Sequence, residues 1–286
     1  MGQAARFIVM SVVAAIFLWL PFRLIERRPR WWPAIVTGVA LPVLAAGLVF
    51  SQVVLTPATT RFEPLQDRPF LAQIQDLAAR CGAGTVPVFV GGNDTTVVGL
   101  GPTSRILISS FEFKAETRRQ MLTSVAHELK HYRMGDNWLA LATIGALMLA
   151  GALLVQVAGS AAIRLWGRPM GLGALYDPAA LPLMALILAL GWSLAGLPIY
   201  IAVQKHAEHE ADRFALELTH DNRAFAEWQA RAGSLPWRLN EEDLVTYLFL
   251  DTHPSQAERV RFGNSYRPWA SGRLGVYDRV CRGPGA

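Results

Sequence analysis

His127, Glu128 and His131 lie in the stretch Ser124-Val125-Ala126-His127-Glu128-Leu129-Lys130-His131-Tyr132, whose spacing is H-E-x-x-H. Histidines at i and i+4 of a helix project from one face about one turn apart, and two imidazoles at that separation can share one Zn²⁺. A carboxylate one residue after the first of them reaches the open coordination position. There Glu128 can take a proton from water and later return it to a leaving amine. The plain alternative is a helix carrying two histidines and a glutamate on its wet face. Zinc chemistry needs a third protein ligand, and no suitable cluster of His, Asp or Glu follows His131 within the same polar segment.

Such a cluster stands farther on, in Lys205-His206-Ala207-Glu208-His209-Glu210-Ala211-Asp212-Arg213-Phe214-Ala215, which reads as a helix. Glu208 and Asp212 share a face there. Glu208 can ligate the metal, while Asp212, one turn on, can accept a hydrogen bond from the far nitrogen of a ligand histidine and fix its tautomer. Glu210 points to another face and is expected in solvent. His206 or His209 could take the place of Glu208, although neither has the same i+4 relation to Asp212.

These residues must be positioned by a chain of 286 residues that is 52% hydrophobic and only 17% charged, a composition too apolar for an ordinary soluble fold. A membrane protein is expected. The net charge of +5 does not indicate nucleic acid, because the arginines are scattered or flank apolar runs and no RNA- or DNA-binding motif is present. Contact with a lipid bilayer explains the excess better. Four apolar stretches are long enough to be spans: Phe7 to Phe22, Trp31 to Leu55, Trp138 to Ile163 and Ala179 to Val203. The last two are rich in the Gly and Ala that let membrane helices approach closely. For the first, a cleaved signal peptide is the alternative.

Two polar segments remain, Thr56 to Asp136 and Gln204 to Ala286. The first opens with Pro64-Leu65-Gln66-Asp67 followed by Leu71, Ile74, Leu77 and Ala78 at helical spacing, and stops at Cys81-Gly82. Short β-branched runs follow, Val86 to Val90, Thr95 to Val98 and Arg105 to Ser109, punctuated by Gly-rich turns. The motif helix then spans Glu116 to Met134, with Gly135 at its end. The expected fold class is mainly α with a small β-sheet (α+β), a zincin-like metallopeptidase domain combined with four transmembrane helices. Its expected parts are residues 1–55 with two N-terminal transmembrane helices, 56–136 as the first half of the zincin domain, 137–203 as a transmembrane hairpin, and 204–286 as the second half with the C-terminal tail. The arginine-rich tail from Arg259 to Arg282 is expected against lipid headgroups.

From Pro64 to Phe262 the chain resembles the membrane-embedded gluzincin endopeptidases, which include the HtpX-type proteases and the CAAX prenyl-protein endopeptidases. The resemblance is carried by Gly99-Leu100-Gly101 between two strands, by His127 to His131 running into Tyr132-x-x-Gly135-Asp136, by Glu208-x-x-Ala211-Asp212, and by His253-Pro254 with Arg259. It implies one Zn²⁺ per chain on His127, His131 and Glu208, with Asp212 behind a ligand. It also implies peptide hydrolysis by zinc-activated water, with Glu128 as general base and then general acid. His253 and Arg259 become candidates to stabilise the tetrahedral intermediate, a turn histidine and a structural salt bridge being the respective alternatives. The substrates implied are proteins or peptides, held extended along the strand near Val97 to Gly99. Two positions depart from the pattern: Lys130 stands where the family usually has Gly, and Asp94-Thr95 where it has Asn-Ala. Four spans are closer to the HtpX-type branch, and no prenylated substrate is inferred.

A second function class is a catalytically silent zinc-binding membrane scaffold or peptide-holding adaptor, favoured only by Lys130 and opposed by an intact Glu128. A transporter would place charge within its spans, whereas these carry nothing stronger than Gln52 and Gln156. The loop Arg23 to Arg30 has four arginines against one glutamate, and the other short loop has Arg164 and Arg168. Both loops are therefore expected in the cytoplasm, which puts the zinc site outside, in the periplasm for a bacterial inner-membrane protein. Cys81 and Cys281 fall one in each polar segment, and a disulfide between them is chemically possible on that side. Oligomeric state is not legible.

Overall fold

The computed structural model describes residue 19 and residues 22–51, 61–232 and 244–281. In chain order the elements are α1 (Trp32–Phe50), β1 (Phe62–Pro64), α2 (Arg68–Arg80), β2 (Val88–Gly91), β3 (Thr96–Val98), β4 (Arg105–Ile108), α3 (Ser110–Ala115) and α4 (Arg118–Met134). There follow α5 (Asp136–Leu154), α6 (Ser160–Met170), α7 (Leu181–Gly191), α8 (Leu197–Thr219), α9 (Asn222–Ala232), α10 (Leu244–Phe249), α11 (Gln256–Ser265) and α12 (Asp278–Cys281). The protein is mainly helical with one small mixed sheet. It divides into two compact units, one of Met1–Leu44 with Ala142–Ile199 and one of Ala45–Leu141 with Tyr200–Ala286.

Among the described residues three helices are long and apolar enough to cross a membrane: Trp32–Phe50, Asp136–Met170 and Pro178–Thr219. The expected first span, Phe7 to Phe22, lies outside the described residues except for Trp19 and Phe22. The second long helix joins α5 to α6 through the π-helical turn Val155–Gly159, and the third joins α7 to α8 through Trp192–Gly196. The third does not stop at Val203, where its apolar run ends, because no Gly or Pro interrupts Gln204 to Thr219. In the first unit, a Cβ on Gly191 would lie 2.6 Å from Leu154 Cδ2, so α5 and α7 approach closely enough that an alanine there would push the Leu154 side chain aside. Ile25, Trp32, Ala152, Val155 and Leu175 form the small buried cluster of this unit.

The second unit is built on the sheet, whose strand order is β1-β2-β4-β3. β1 runs antiparallel to β2, β2 parallel to β4 (Val88 opposite Ile106), and β3 antiparallel to β4 (Val97 opposite Ile106). Both β1 and β3 are edge strands. The chain from Phe62 to Pro64 is thus a strand and not, as Pro64 suggests in sequence, the start of a helix; an edge strand tolerates a residue with no N–H to donate. The helix begins at Arg68, capped by Asp67, whose Oδ1 accepts from Phe70 N at 3.0 Å. Its apolar face, Phe70, Ile74 and Leu77, packs with Ile106 and Ile108 of the sheet, Met121, Val125 and Leu129 of α4, and Phe214 and Leu216 of α8 into one core.

Part of the C-terminal segment packs on this core, Tyr266, Trp269, Tyr277 and Cys281 among its members. Buried Glu217 of α8 accepts from the backbone N–H groups of Val276 (3.1 Å), Tyr277 (2.5 Å) and Asp278 (3.2 Å), and from the Tyr266 hydroxyl. A buried carboxylate persists only with such a set of donors. Cys281, on α12, is disulfide-bonded to Cys81 at the end of α2, 200 residues earlier. Cross-linking over so long a loop restricts the unfolded chain, with effects of about 2–5 kcal/mol in small domains and less where other constraints already restrict the loop. Reduction, or Cys281→Ser, should therefore lower the thermal midpoint of the detergent-purified protein by several degrees. An unchanged midpoint under full reduction would show that the bond contributes nothing to the folded state.

Candidate metal centre

The site starts from α4. Thr117 and Gln120 form a capping box at its N-terminus, Gln120 Oε1 accepting from Thr117 N at 2.9 Å. Its C-terminus is closed by Gly135 in the left-handed conformation (φ 67°), whose N–H reaches His131 O at 3.0 Å. Between these caps His127 and Glu128 are buried and His131 nearly so. The glycine turn also has a chemical consequence, because it brings Asp136 back onto the helix it has just left. Asp136 Oδ2 lies 2.6 Å from His131 Nδ1.

α8 supplies the opposite side. Glu208 Oε2 lies 3.2 Å from His127 Nε2, Glu208 Oε1 lies 3.5 Å from His131 Nε2, and the two Nε2 atoms are 3.2 Å apart. Ligand atoms at tetrahedral positions about 2.0–2.1 Å from a zinc ion lie roughly 3.3 Å from one another, so these separations are of the size a Zn²⁺ site requires. Among the described residues these three form the one group of His, Cys, Asp or Glu with the spacing of a metal site. Both imidazoles present Nε2 to the centre because each Nδ1 is held by an aspartate: His127 by Asp212 Oδ1 at 2.9 Å and His131 by Asp136.

The three groups face a cleft of about 330 Å³, onto which Glu128, Thr96, Trp228 and His253 also open. Burial alone would hold His127 neutral, but Asp212 and Glu208 prevail, and its pKa is raised to about 9. Burial pushes the Glu128 carboxyl upward, opposed by the nearby histidines. That shift brings a glutamate towards the range in which it exchanges protons at neutral pH. Burial also lowers His253.

Other residues named by the sequence fall as follows. His253 is half-exposed, with Nε2 3.5 Å from Glu208 Oε2 and Nδ1 3.1 Å from Thr252 Oγ1. Arg259 is buried and bonds Asp212 through Nε (2.8 Å) and Nη2 (2.5 Å). The structure therefore shows the salt-bridge arrangement for Arg259. His206 is exposed and His209 packs on the Phe262 ring at 4.5 Å, so neither joins the ligand group. Glu210 is not in solvent as expected; Tyr277 donates to it at 2.8 Å and Arg213 pairs with it at 2.7 Å, because the C-terminal segment covers that face of α8. At one departure from the family pattern, Thr95 donates to Glu112 and accepts from Ser109 N (3.0 Å), fastening β3 to the start of α3.

Three contributors escape a reading of the sequence for chemistry. Asp136 was visible only as part of a motif, and its role depends on the Gly135 turn. Asn137 Nδ2 donates to Gly99 O at 2.9 Å, tying the start of α5 to the end of β3. Trp228 stands edge-on to His127, with ring centres 5.8 Å apart, and no sequence signal marks it.

With this geometry established, comparison with known proteins is direct. The chain belongs to peptidase family M48, whose profile matches residues 65–264. It is similar to an uncharacterized metalloprotease, YhfN, of Bacillus subtilis (strain 168), with 24% identity over 262 residues, 89% of this chain and 60% of that protein. Its fold is similar to the crystal structure of S. mikatae Ste24p, with a TM-score of 0.67 at 16% identity, covering 91% of this chain and 65% of that one. The chain thus spans less than two thirds of either relative.

Zinc analysis should find about one ion per chain in the wild type and in Glu128→Gln, and loss of the ion in His127→Ala, His131→Ala or Glu208→Ala. Full occupancy in Glu208→Ala would remove that residue from the ligand set. The raised His127 pKa sets the sign of the pH dependence. A ligand histidine must be neutral, so below about pH 9 the metal displaces a proton, and affinity should climb as pH rises towards that value. Titration calorimetry in buffers of different ionisation enthalpy should register that proton; affinity independent of pH between about 6 and 8 would contradict it.

Proposed function

We propose that this protein is an integral-membrane zinc metalloendopeptidase that hydrolyses peptide bonds of membrane or membrane-associated proteins. The observation that carries the reading is the convergence of His127, His131 and Glu208 on one point, with buried Glu128 opening on the same cleft. Membership of family M48 supports the peptidase class, and the long apolar helices support the membrane setting.

A bound Zn²⁺ would supply Lewis acidity, lowering the pKa of water towards neutrality and polarising the scissile carbonyl. Glu128 takes the proton of the attacking water and passes it to the leaving amine, a task suited to a carboxyl raised by burial. His253, at the mouth of the cleft beside Glu208, donates a hydrogen bond to the oxygen on which negative charge develops. Arg259 acts through Asp212, whose carboxylate it holds against His127. A peptide adds to the edge strand β3, where Thr95, Thr96 and Val97 line the cleft, and Asn137 marks the end of the available edge. The scaffold reading rested on Lys130. Its charge is taken up by Asp136 and does not stand free in the cleft, which leaves that reading without a supporting observation.

Casein hydrolysis by the zinc-loaded, detergent-purified protein should fall about 10²- to 10⁴-fold in Glu128→Gln at unchanged zinc content. Equal rates in the two proteins would exclude Glu128 as the base. His253→Ala should lower kcat by about 10²-fold or more with zinc retained. A change confined to KM would make it a substrate contact.

For localisation we favour an active site on the outer, periplasmic side of a bacterial inner membrane. Two features support this: the arginines that flank the apolar runs, Arg23 to Arg30 and, on α6, Arg164 and Arg168, and a disulfide joining the two polar segments, which persists in an oxidising compartment. Reporter fusions at Arg168 and at the C-terminus should give cytoplasmic and periplasmic signals respectively. The reverse pattern would overturn the topology.

A further inference from the structure

Lys130 stands inside the H-E-x-x-H motif, and its side chain is buried. Its ammonium donates to Asp136 Oδ2 at 2.5 Å and to the backbone oxygen of Ala207 at 3.1 Å. Asp136 Oδ2 is the same oxygen that holds His131 Nδ1, and Ala207 immediately precedes Glu208. One side chain on α4 therefore touches both the carboxylate that orients the second ligand and the backbone that carries the third.

The other histidine has a matching arrangement. His127 is backed by Asp212, and Asp212 by buried Arg259; His131 is backed by Asp136, and Asp136 by buried Lys130. The cleft and the groups directly behind it thus gather four carboxylates, Glu128, Glu208, Asp136 and Asp212, against the cations Lys130 and Arg259, and a divalent metal would complete the balance. Without Lys130 one carboxylate in a poorly hydrated setting would lack its countercharge, which is costly in itself and would free Asp136 to rotate away from His131. A glycine at this position would leave that charge unanswered and break one hydrogen bond between α4 and α8, that of Lys130 to Ala207 O.

We propose that Lys130 is a positioning residue of the metal centre, coupling the His131–Asp136 pair to the Glu208 segment, so that this chain requires the lysine for full metal affinity. The inference rests on the zinc reading above and deepens it. The test measures Zn²⁺ affinity by chelator competition on the full-length protein in detergent, for the wild type, Lys130→Gly, Lys130→Met, Lys130→Arg, Asp136→Asn and the double variant Lys130→Met/Asp136→Asn. Absorption spectra of the Co²⁺-substituted proteins report ligand geometry separately from affinity. The Gly and Met variants should bind Zn²⁺ about 10- to 100-fold more weakly, with altered Co²⁺ spectra. Lys130→Arg should recover most of the affinity, and the double variant should be no weaker than Asp136→Asn, because both substitutions break one array. Wild-type affinity and spectrum in Lys130→Gly would overturn the proposal, as would fully additive losses in the double variant. If Gly and Met variants do not fold, the Asp136→Asn and Lys130→Arg proteins decide it, wild-type affinity in the former being the adverse result. Failure of the folded wild type to bind Zn²⁺ is a distinct outcome, since it overturns the zinc reading itself.

Discussion

Everything at the site depends on how Asp212 is satisfied. Its side chain is about 1% exposed, and it accepts from His127 on one side and from two nitrogens of Arg259 on the other. A carboxylate at that depth is tolerable only when paired and hydrogen-bonded, and removing one partner of such a set costs about 3–5 kcal/mol. The two partners come from α4 and α11, whereas Asp212 itself is on α8. The three helices therefore dock as a set, and the docking that satisfies Asp212 also places Glu208, one turn earlier, against both histidines.

The same economy recurs around the cleft. Each imidazole is oriented by an aspartate that lies outside α4, which leaves both Nε2 atoms pointing at one centre. Burial strengthens these bonds and raises the Glu128 carboxyl, so the burial that makes the array costly to break also shifts the acidity of the glutamate beside it. Chemistry and stability are thereby linked through the same few side chains.

Farther out, ordinary packing and covalent chemistry hold the frame. α2, the sheet and α4 share one apolar core, Glu217 gathers the backbone of the C-terminal segment, and the Cys81–Cys281 bond closes that segment onto the end of α2. The helix that carries Glu208 and Asp212 is continuous with an apolar run long enough to span a membrane. A polar ligand face and an apolar span occupy different stretches of one helix, because neither Gly nor Pro breaks it after Pro198.

The sequence by itself determined what depends on local spacing. It placed His127, Glu128 and His131 on one helix ending at Gly135, and found Glu208 and Asp212 on one face of a second. It also located most of the short strands, since periodicity, caps and turn residues act over a few neighbours. It misplaced Pro64 and put Glu210 in solvent, because the partners that decide these positions lie far along the chain. Val90 opposite Glu63, Tyr277 against Glu210 and Glu217 beneath Val276 are tertiary facts. Only the fold brought Arg259 to Asp212, Lys130 to Asp136 and Ala207, and Cys281 to Cys81, since pairing of buried charges and thiols is a matter of distance in space, which residue spacing does not encode.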